Sequence, residues 1–318
     1  MIPRQKQNRF EYLSRNSLFI LSLVLVFLSP LHAGLKTKSV TQLFVLDSAP
    51  PNGLELPTDV AVNKDGVAYV VDSGHNRIVA FNKKGKYLFA FGEHGSKNGQ
   101  FKHPVGITID GSNQVYIADK NNSRIQIFDA KGQWLKSIPV ERSSRSLMPV
   151  DVAVNPNNNQ ILATINNTHE ILRYSQDGRL LGTWGGEGVD KGKFRYPATM
   201  AISGKGQIYV VDVLNTRVQV FSSTGESLVN VGQWGILSGE FFRPKGVALD
   251  LEGNVYVGDS FMDVIQVFDS SHRFLYVLGK RDKPRRFVSV AGIAVDNDQR
   301  LYAVEMLEHR VSVYSLEK

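Results

Sequence analysis

The chain has no cysteine in its 318 residues. That excludes a disulfide framework, a thiolate metal site and a cysteine-linked lipid anchor. It also lacks a long apolar run. The longest, Leu18–Leu28, spans eleven residues, short of the roughly 20 that a membrane-crossing helix needs. An excess of one charge is scarce as well. The formal net charge is +7, and without residues 1–33 it falls to +4, because 33 Lys/Arg then face 29 Asp/Glu. A balance that mild is too weak alone to argue for nucleic acid.

The first 33 residues stand apart. Arg4, Lys6, Arg9 and Arg15 precede the apolar run, and Ser29-Pro30-Leu31-His32-Ala33 follow it. A basic start, a short apolar centre and a small residue at the end predict a secretory signal peptide over 1–33 and an exported protein, periplasmic or extracellular. The alternative is an uncleaved anchor, in which case residues 18–31 would hold the chain at a membrane. Residues 34–41 read as a short linker.

What is abundant is glycine, 28 residues, many in Asn/Asp/Gly turns. The turns recur at a fixed period. Residues Asp59, Gly106, Asp151, Thr199, Gly246 and Gly292 sit at one position of a repeat, at intervals of 47, 45, 48, 47 and 46. Each copy holds an apolar segment such as Gly106-Ile107-Thr108-Ile109, a second such as Val115-Tyr116-Ile117-Ala118-Asp119, a third opening on Arg (Arg124-Ile125-Gln126-Ile127-Phe128), and a fourth after a Gly turn. Short β-branched and aromatic segments separated by turns are strands. The first segments are apolar almost throughout, so both their faces are buried. A repeat of this length with four strands predicts an all-β, six-bladed β-propeller over 42–318. The sixth copy ends after three strands, and Gln42–Leu46 is a strand without a blade. Placing it on the last blade closes the ring.

The pattern Pro-x-Gly-Ile-x-x-Asp, then Tyr-Val-x-Asp-x-x-x-x-Arg-Ile-x-x-Phe, then Phe-Gly-x-x-Gly-x-x-x-Gly-x-Phe-x-x-Pro resembles the NHL-repeat family of β-propellers. The best copies are residues 57–103, 104–138 and 197–243. The resemblance implies the fold and leaves function open, since that family includes sensors, scaffolds, nucleic-acid binders and an amidating lyase.

Two sets of residues invite a functional reading. The pairs Asp72/Arg77, Asp119/Arg124, Asp212/Arg217 and Glu305/Arg310 recur in every regular blade. They read as structural braces in which the acid takes backbone N–H groups of the following turn and pairs with the Arg. Blade three has Ile165 and Glu170 there, and blade five has Asp259 with Val264. The second set lies in the blade-to-blade linkers. Five of these, 91–103, 139–148, 184–196, 231–243 and 279–289, hold 13 Lys/Arg against 6 Asp/Glu. Lys102, His103, Arg195, Tyr196, Arg243, Lys245, Arg285 and Arg286 are the expected binding residues of one basic face, and a mouth rimmed by one sign of charge attracts anions.

The seven histidines do not converge. Of them only His103 is near the axis, where its counterparts are Leu56, Met148, Tyr196, Arg243 and Ser289. The axial acids Asp59 and Asp151 are two blades apart and read as linker caps. No metal, cofactor or catalytic residue is expected. The predicted function is a non-catalytic scaffold, a monomer, docking a protein or an anionic polymer. The alternatives are a metal-dependent propeller lyase or lactonase and, second, nucleic-acid binding, which an exported chain has little occasion for.

Overall fold

A computed structural model describes residues 36–142, 145–280 and 283–316; the predicted signal segment lies outside them. Its strands fall into six four-stranded antiparallel blades. Blade 1 comprises Pro57–Val62, Ala68–Asp72, Arg77–Phe81 and Tyr87–Phe91. Blade 2 comprises Pro104–Ile109, Val115–Asp119, Arg124–Phe128 and Trp134–Pro139. Blades 3, 4 and 5 begin at Pro149–Val154, Pro197–Ile202 and Pro244–Leu249. Blade 6 takes Val290–Val295, Arg300–Glu305 and Arg310–Ser315 from the C-terminal end and Thr41–Leu46 from the N-terminal end. Thr41 pairs with Ser315 and Leu46 with Val311, so the ring closes three-plus-one. Short 3₁₀ turns such as 120–122 and 213–215 are the helical elements among the described residues, where no helix is long and apolar enough to cross a membrane.

The sequence pattern explains the layers. Alternate residues of a strand point to opposite faces. In blade 1, Tyr69, Val71, Ile78 and Ala80 pack against Ile107, Ile117 and Phe128 of blade 2. Their neighbours Ala68, Val70, Val79 and Phe81 pack against Val304, Val311 and Val313 of blade 6. Both parities must therefore be apolar, and Ala68–Asp72 and Arg77–Phe81 are buried throughout. The core is a ring of such inter-blade layers. Leu46 is fully buried in one of them, which gives the closing strand its hold.

One feature goes beyond the sequence reading. Thr37–Lys38, within the segment read as a linker, pairs in parallel with Val277–Leu278 at the outer edge of blade 5. The N-terminal segment thus straps blade 5 to blade 6 before completing the latter, and covers one open sheet edge.

The turn between the second and third strands hydrogen-bonds the linker entering the same blade: Asn121 N–H to Lys102 O at 3.0 Å, Leu214 N–H to Arg195 O at 3.0 Å and Ser260 N–H to Arg243 O at 2.9 Å. Linkers and these turns share one face, called here the linker face. A residue in the left-handed region stands at this turn in all six blades, at Asn76, Ser123, His169, Thr216, Asp263 and His309. Several reach the next blade: Asn76 accepts from His103 N, His169 Nδ1 from Tyr196 N, and His309 Nδ1 from Leu56 N at 3.1 Å. The last contact joins residues 253 apart in sequence and is the same contact carried across the closure.

Candidate functional site on the linker face

The recurrent acid–arginine pairs are built into the blades. Arg77, Arg124, Arg217 and Arg310 each donate through Nε to the acid five residues before, at 2.7–3.0 Å. The acids do not cap the following turn, as the sequence reading expected. Instead Asp72, Asp119, Asp212 and Glu305 accept the N–H of Glu55, Lys102, Arg195 and Val288, each 17 residues earlier in the incoming linker. The arginines complete the grip by donating to linker carbonyls: Arg124 to Lys97 and Gln100, Arg217 to Asp190 and Lys193. The physical reason is the shared face, which brings the linker nearer to the carboxylate than the turn it precedes. Asp259 of blade 5 serves both, taking Phe242 and Arg243 N–H from the linker and Phe261 and Met262 N–H from the turn. Blade 3 inverts the charges: Glu170 stands where Arg is usual, and linker residue Arg142 pairs with it at 2.8 Å.

These braces fix the backbone on which the basic residues stand. Lys102, His103, Arg195, Tyr196 and Arg243 are exposed on the linker face. His103 and Tyr196 hold left-handed backbone at φ 57° and 59°, and Tyr196 meets the His169 ring edge-on at 4.9 Å. Burial pushes the His103 imidazole below its ordinary range, with the Lys120 charge adding to the effect. Lys245 lies deeper, and burial followed by the Arg243 charge lowers its ammonium as well. Arg286 is exposed and donates to the carbonyl of Met262 in the blade 5 turn.

Arg285 does not join them. Its Nε donates to Tyr314 Oη at 3.0 Å, its Nη2 to Gln42 Oε1 at 2.9 Å, and its guanidinium lies 4.7 Å from the Tyr314 ring centroid. Linker 279–289 folds back on blade 5, Pro284 opposite Gly279, and carries Arg285 into the junction with the closing strand. It braces that junction rather than the binding face.

On the axis the first strands of all six blades line a cavity of about 330 Å³. Each first strand is irregular at its start, for example between Pro57 and Val60 and between Pro149 and Asp151, and such bulges re-aim side chains. Asp59 accepts Val60 N at 2.9 Å and Ile107 N of blade 2 at 3.0 Å. Asp151 accepts Val152 N at 2.8 Å and Met200 N of blade 4 at 2.6 Å. They staple one blade to the next and do not cap linkers. Gly292 and Gly106 leave the space, since a Cβ there would lie 2.1 Å from Asp59 Oδ1 and 2.3 Å from Asp151 Oδ1. Burial raises the Asp59 carboxyl to about 7, and burial and then the Asp59 charge raise Asp151 well above its ordinary value. Two carboxylates already holding amides, with Thr199 and glycines 106, 246 and 292 at the equivalent positions, do not fit a resident metal. Among the described residues, no group of three His, Cys, Asp or Glu could hold one.

The linker face also carries side chains that charge patterning alone does not point to. Trp234 is 71% exposed, Leu237 60% and Phe261 57%, and Ile236 is exposed too. They cluster on blade 5 and the linker entering it, and Phe261 stacks on Phe242 at 4.0 Å. The signal was available in the repeat: the corresponding residues of the blade 1–2 linker and blade 2 turn are His94, Ser96, Lys97 and Asn121.

Comparison with known proteins agrees with this architecture. NHL repeats are matched at residues 54–81 and 101–128. Protein brain tumor of Drosophila melanogaster is 31% identical over 170 residues, 53% of this chain, which spans 12% of that protein's length. Among solved structures, a gluconolactonase from Xanthomonas campestris superposes with a TM-score of 0.65 at 15% identity, over 87% of this chain and 91% of its own. A streptogramin B lyase gives 0.62 at 14%, over 86% and 97%. At such identities the likeness is one of fold.

Proposed function

The chain is a six-bladed β-propeller carrying NHL repeats, and we propose that it is a non-catalytic binding scaffold whose linker face docks an acidic partner. The observation that carries this reading is the contrast between a braced backbone and the unpaired cations on it. Arg195 and Arg243 are exposed, and among the described residues neither has a carboxylate within ion-pair distance. Their backbone amides, by contrast, are fixed by Asp212 and Asp259. Cations without partners on a fixed backbone are suited to an incoming anion, because only the side chains, not the loop, must be ordered on binding.

The lyase and lactonase reading finds less support. Chemistry on the propeller axis needs convergent, available groups. Here the axial carboxylates are occupied by backbone amides. His169 and His309 do reach the positions equivalent to His103, where the sequence reading placed no second histidine, but their Nδ1 atoms are taken by Tyr196 and Leu56 N–H. The basic, apolar-centred N-terminal segment supports placement of the scaffold outside the cytoplasm.

The test uses poly-L-glutamate as probe and the full chain. Charge reversal at Arg195, Arg243 and Arg286 should abolish binding. Reversal of three exposed lysines on the opposite face, Lys64, Lys131 and Lys205, should leave it intact. Equal losses from the two triples would overturn the assignment of the face.

A further inference from the structure

We infer that the partner is a protein segment combining acidic residues with apolar anchors, and that the anchors seat on Trp234, Ile236, Leu237 and Phe261; this rests on the linker face being the docking face. The repeat supplies its own control. The blade 1–2, 3–4 and 4–5 linkers have one backbone. Bridges His94–Phe101, Glu187–Phe194 and Trp234–Phe241 are equivalent. So are the hydrogen bonds Gly95 N–H to Phe101 O, Gly188 N–H to Phe194 O and Gly235 N–H to Phe241 O, at 2.9–3.1 Å. In each the buried Phe plugs the loop from beneath. A loop that folds with His94, Ser96 and Lys97 does not need Trp234, Ile236 and Leu237 in order to fold. Nor does the second-to-third turn need Phe261, since blade 2 has Asn121 there; blades 4 and 6 carry exposed Leu214 and Leu307 at that position, but only in blade 5 does it adjoin an apolar linker loop.

Exposed apolar side chains gathered on a rigid loop mark interaction surfaces. The chemistry of these four selects among partners. Ile236 and Leu237 neither stack on a base or sugar nor donate a hydrogen bond, so they gain only by burial against apolar atoms. That favours a protein segment over a nucleic acid or polysaccharide. Arg243 and Arg286 flank the patch, Arg286 through its bond to Met262 beside Phe261, and call for carboxylates on that segment. The same flanking charge disfavours a second copy, whose patch would present like charge to like.

The experiment is selection of a random-peptide display library on the immobilised full chain, followed by measured affinities of the selected peptides. The patch variant W234H/L237K/F261N introduces only residues that the blade 1–2 linker and blade 2 turn already carry, so the loop retains its fold. It also adds a positive charge, so any weakening of an acidic peptide is not electrostatic. The expected result is peptides holding Asp/Glu beside Trp, Phe or Leu, bound about tenfold or more weakly by the patch variant and weakened also by R243E/R286E. Acidic peptides lost with R243E/R286E but indifferent to the patch variant would overturn this inference and leave the basic-face reading standing. Peptides indifferent to both would overturn both. A homopolymeric RNA or heparin that competes with the peptides and itself loses affinity on W234H/L237K/F261N, or self-association abolished by those substitutions, would also overturn it.

Discussion

The axial carboxylates contribute to this propeller a stabilisation that declines as pH rises, opposite in sign to that of an ordinary salt-bridged acid. Burial holds the Asp59 carboxyl at about 7 in the folded chain, against about 3.9 for an unfolded aspartate. Between those values the folded state holds a proton that the unfolded state has released. The contribution of this group is therefore full below pH 4 and is lost as pH rises through 7. Each unit in that window is worth about 1.4 kcal/mol for one group, so one carboxylate accounts for about 2–3 kcal/mol between pH 5 and 8. Asp151 shifts the same way and adds to the slope. The perturbation is D59N/D151N. An asparagine resembles the protonated acid: neutral, isosteric, and still able to accept one of the two backbone amides. The double variant, which gives up one amide acceptor at each site, should start lower than the parent near pH 5 but lose less stability than the parent between pH 5 and 8. Equilibrium urea unfolding at the two pH values, followed by tryptophan fluorescence, reads the difference directly. Parallel pH dependences in parent and variant would refute the burial argument.

Other consequences follow from the braces and the closure. R124M leaves the Asp119 carboxylate buried beside Asn122 and Gln126 without its counter-charge, and should cost about 3 kcal/mol in urea unfolding. The exposed K102E in the same linker should stay within about 0.5 kcal/mol. L46A removes a fully buried anchor of the closing strand and should cost about 2–5 kcal/mol. Deleting residues 1–40 loses the Thr37–Lys38 strap and should lower the melting temperature by a few degrees. Deleting 1–46 should abolish cooperative melting, because Val311 and Val313 lose the strand that covers them.

Much of this was legible in the sequence because a propeller writes each constraint several times. The period fixes the blade count, apolar residues at both parities mark the inter-blade layers, and Gln42–Leu46 is the strand that the last copy lacks. What stayed hidden depends on neighbours that periodicity does not specify. The two-residue strand Thr37–Lys38 is too short to carry a pattern. The direction in which Asp119 bonds follows from three-dimensional proximity of linker and turn. Arg285 reads as one more linker cation, yet the fold-back of 279–289 directs it to Tyr314. The patch was readable in principle at Trp234 and Leu237, where the sibling linkers carry His94 and Lys97 or Glu187 and Asp190, but charge counting passes over apolar residues.

The central claim is that function resides on the linker face, and site-specific photo-crosslinking in the cell of origin tests it most directly. A photoreactive residue in place of Leu237 is compared with one in place of Leu251, which is 74% exposed on the opposite face. The account predicts a discrete protein adduct from position 237 that disappears with R243E/R286E, and none from position 251. An adduct from position 251, or equal adducts from both, would contradict it.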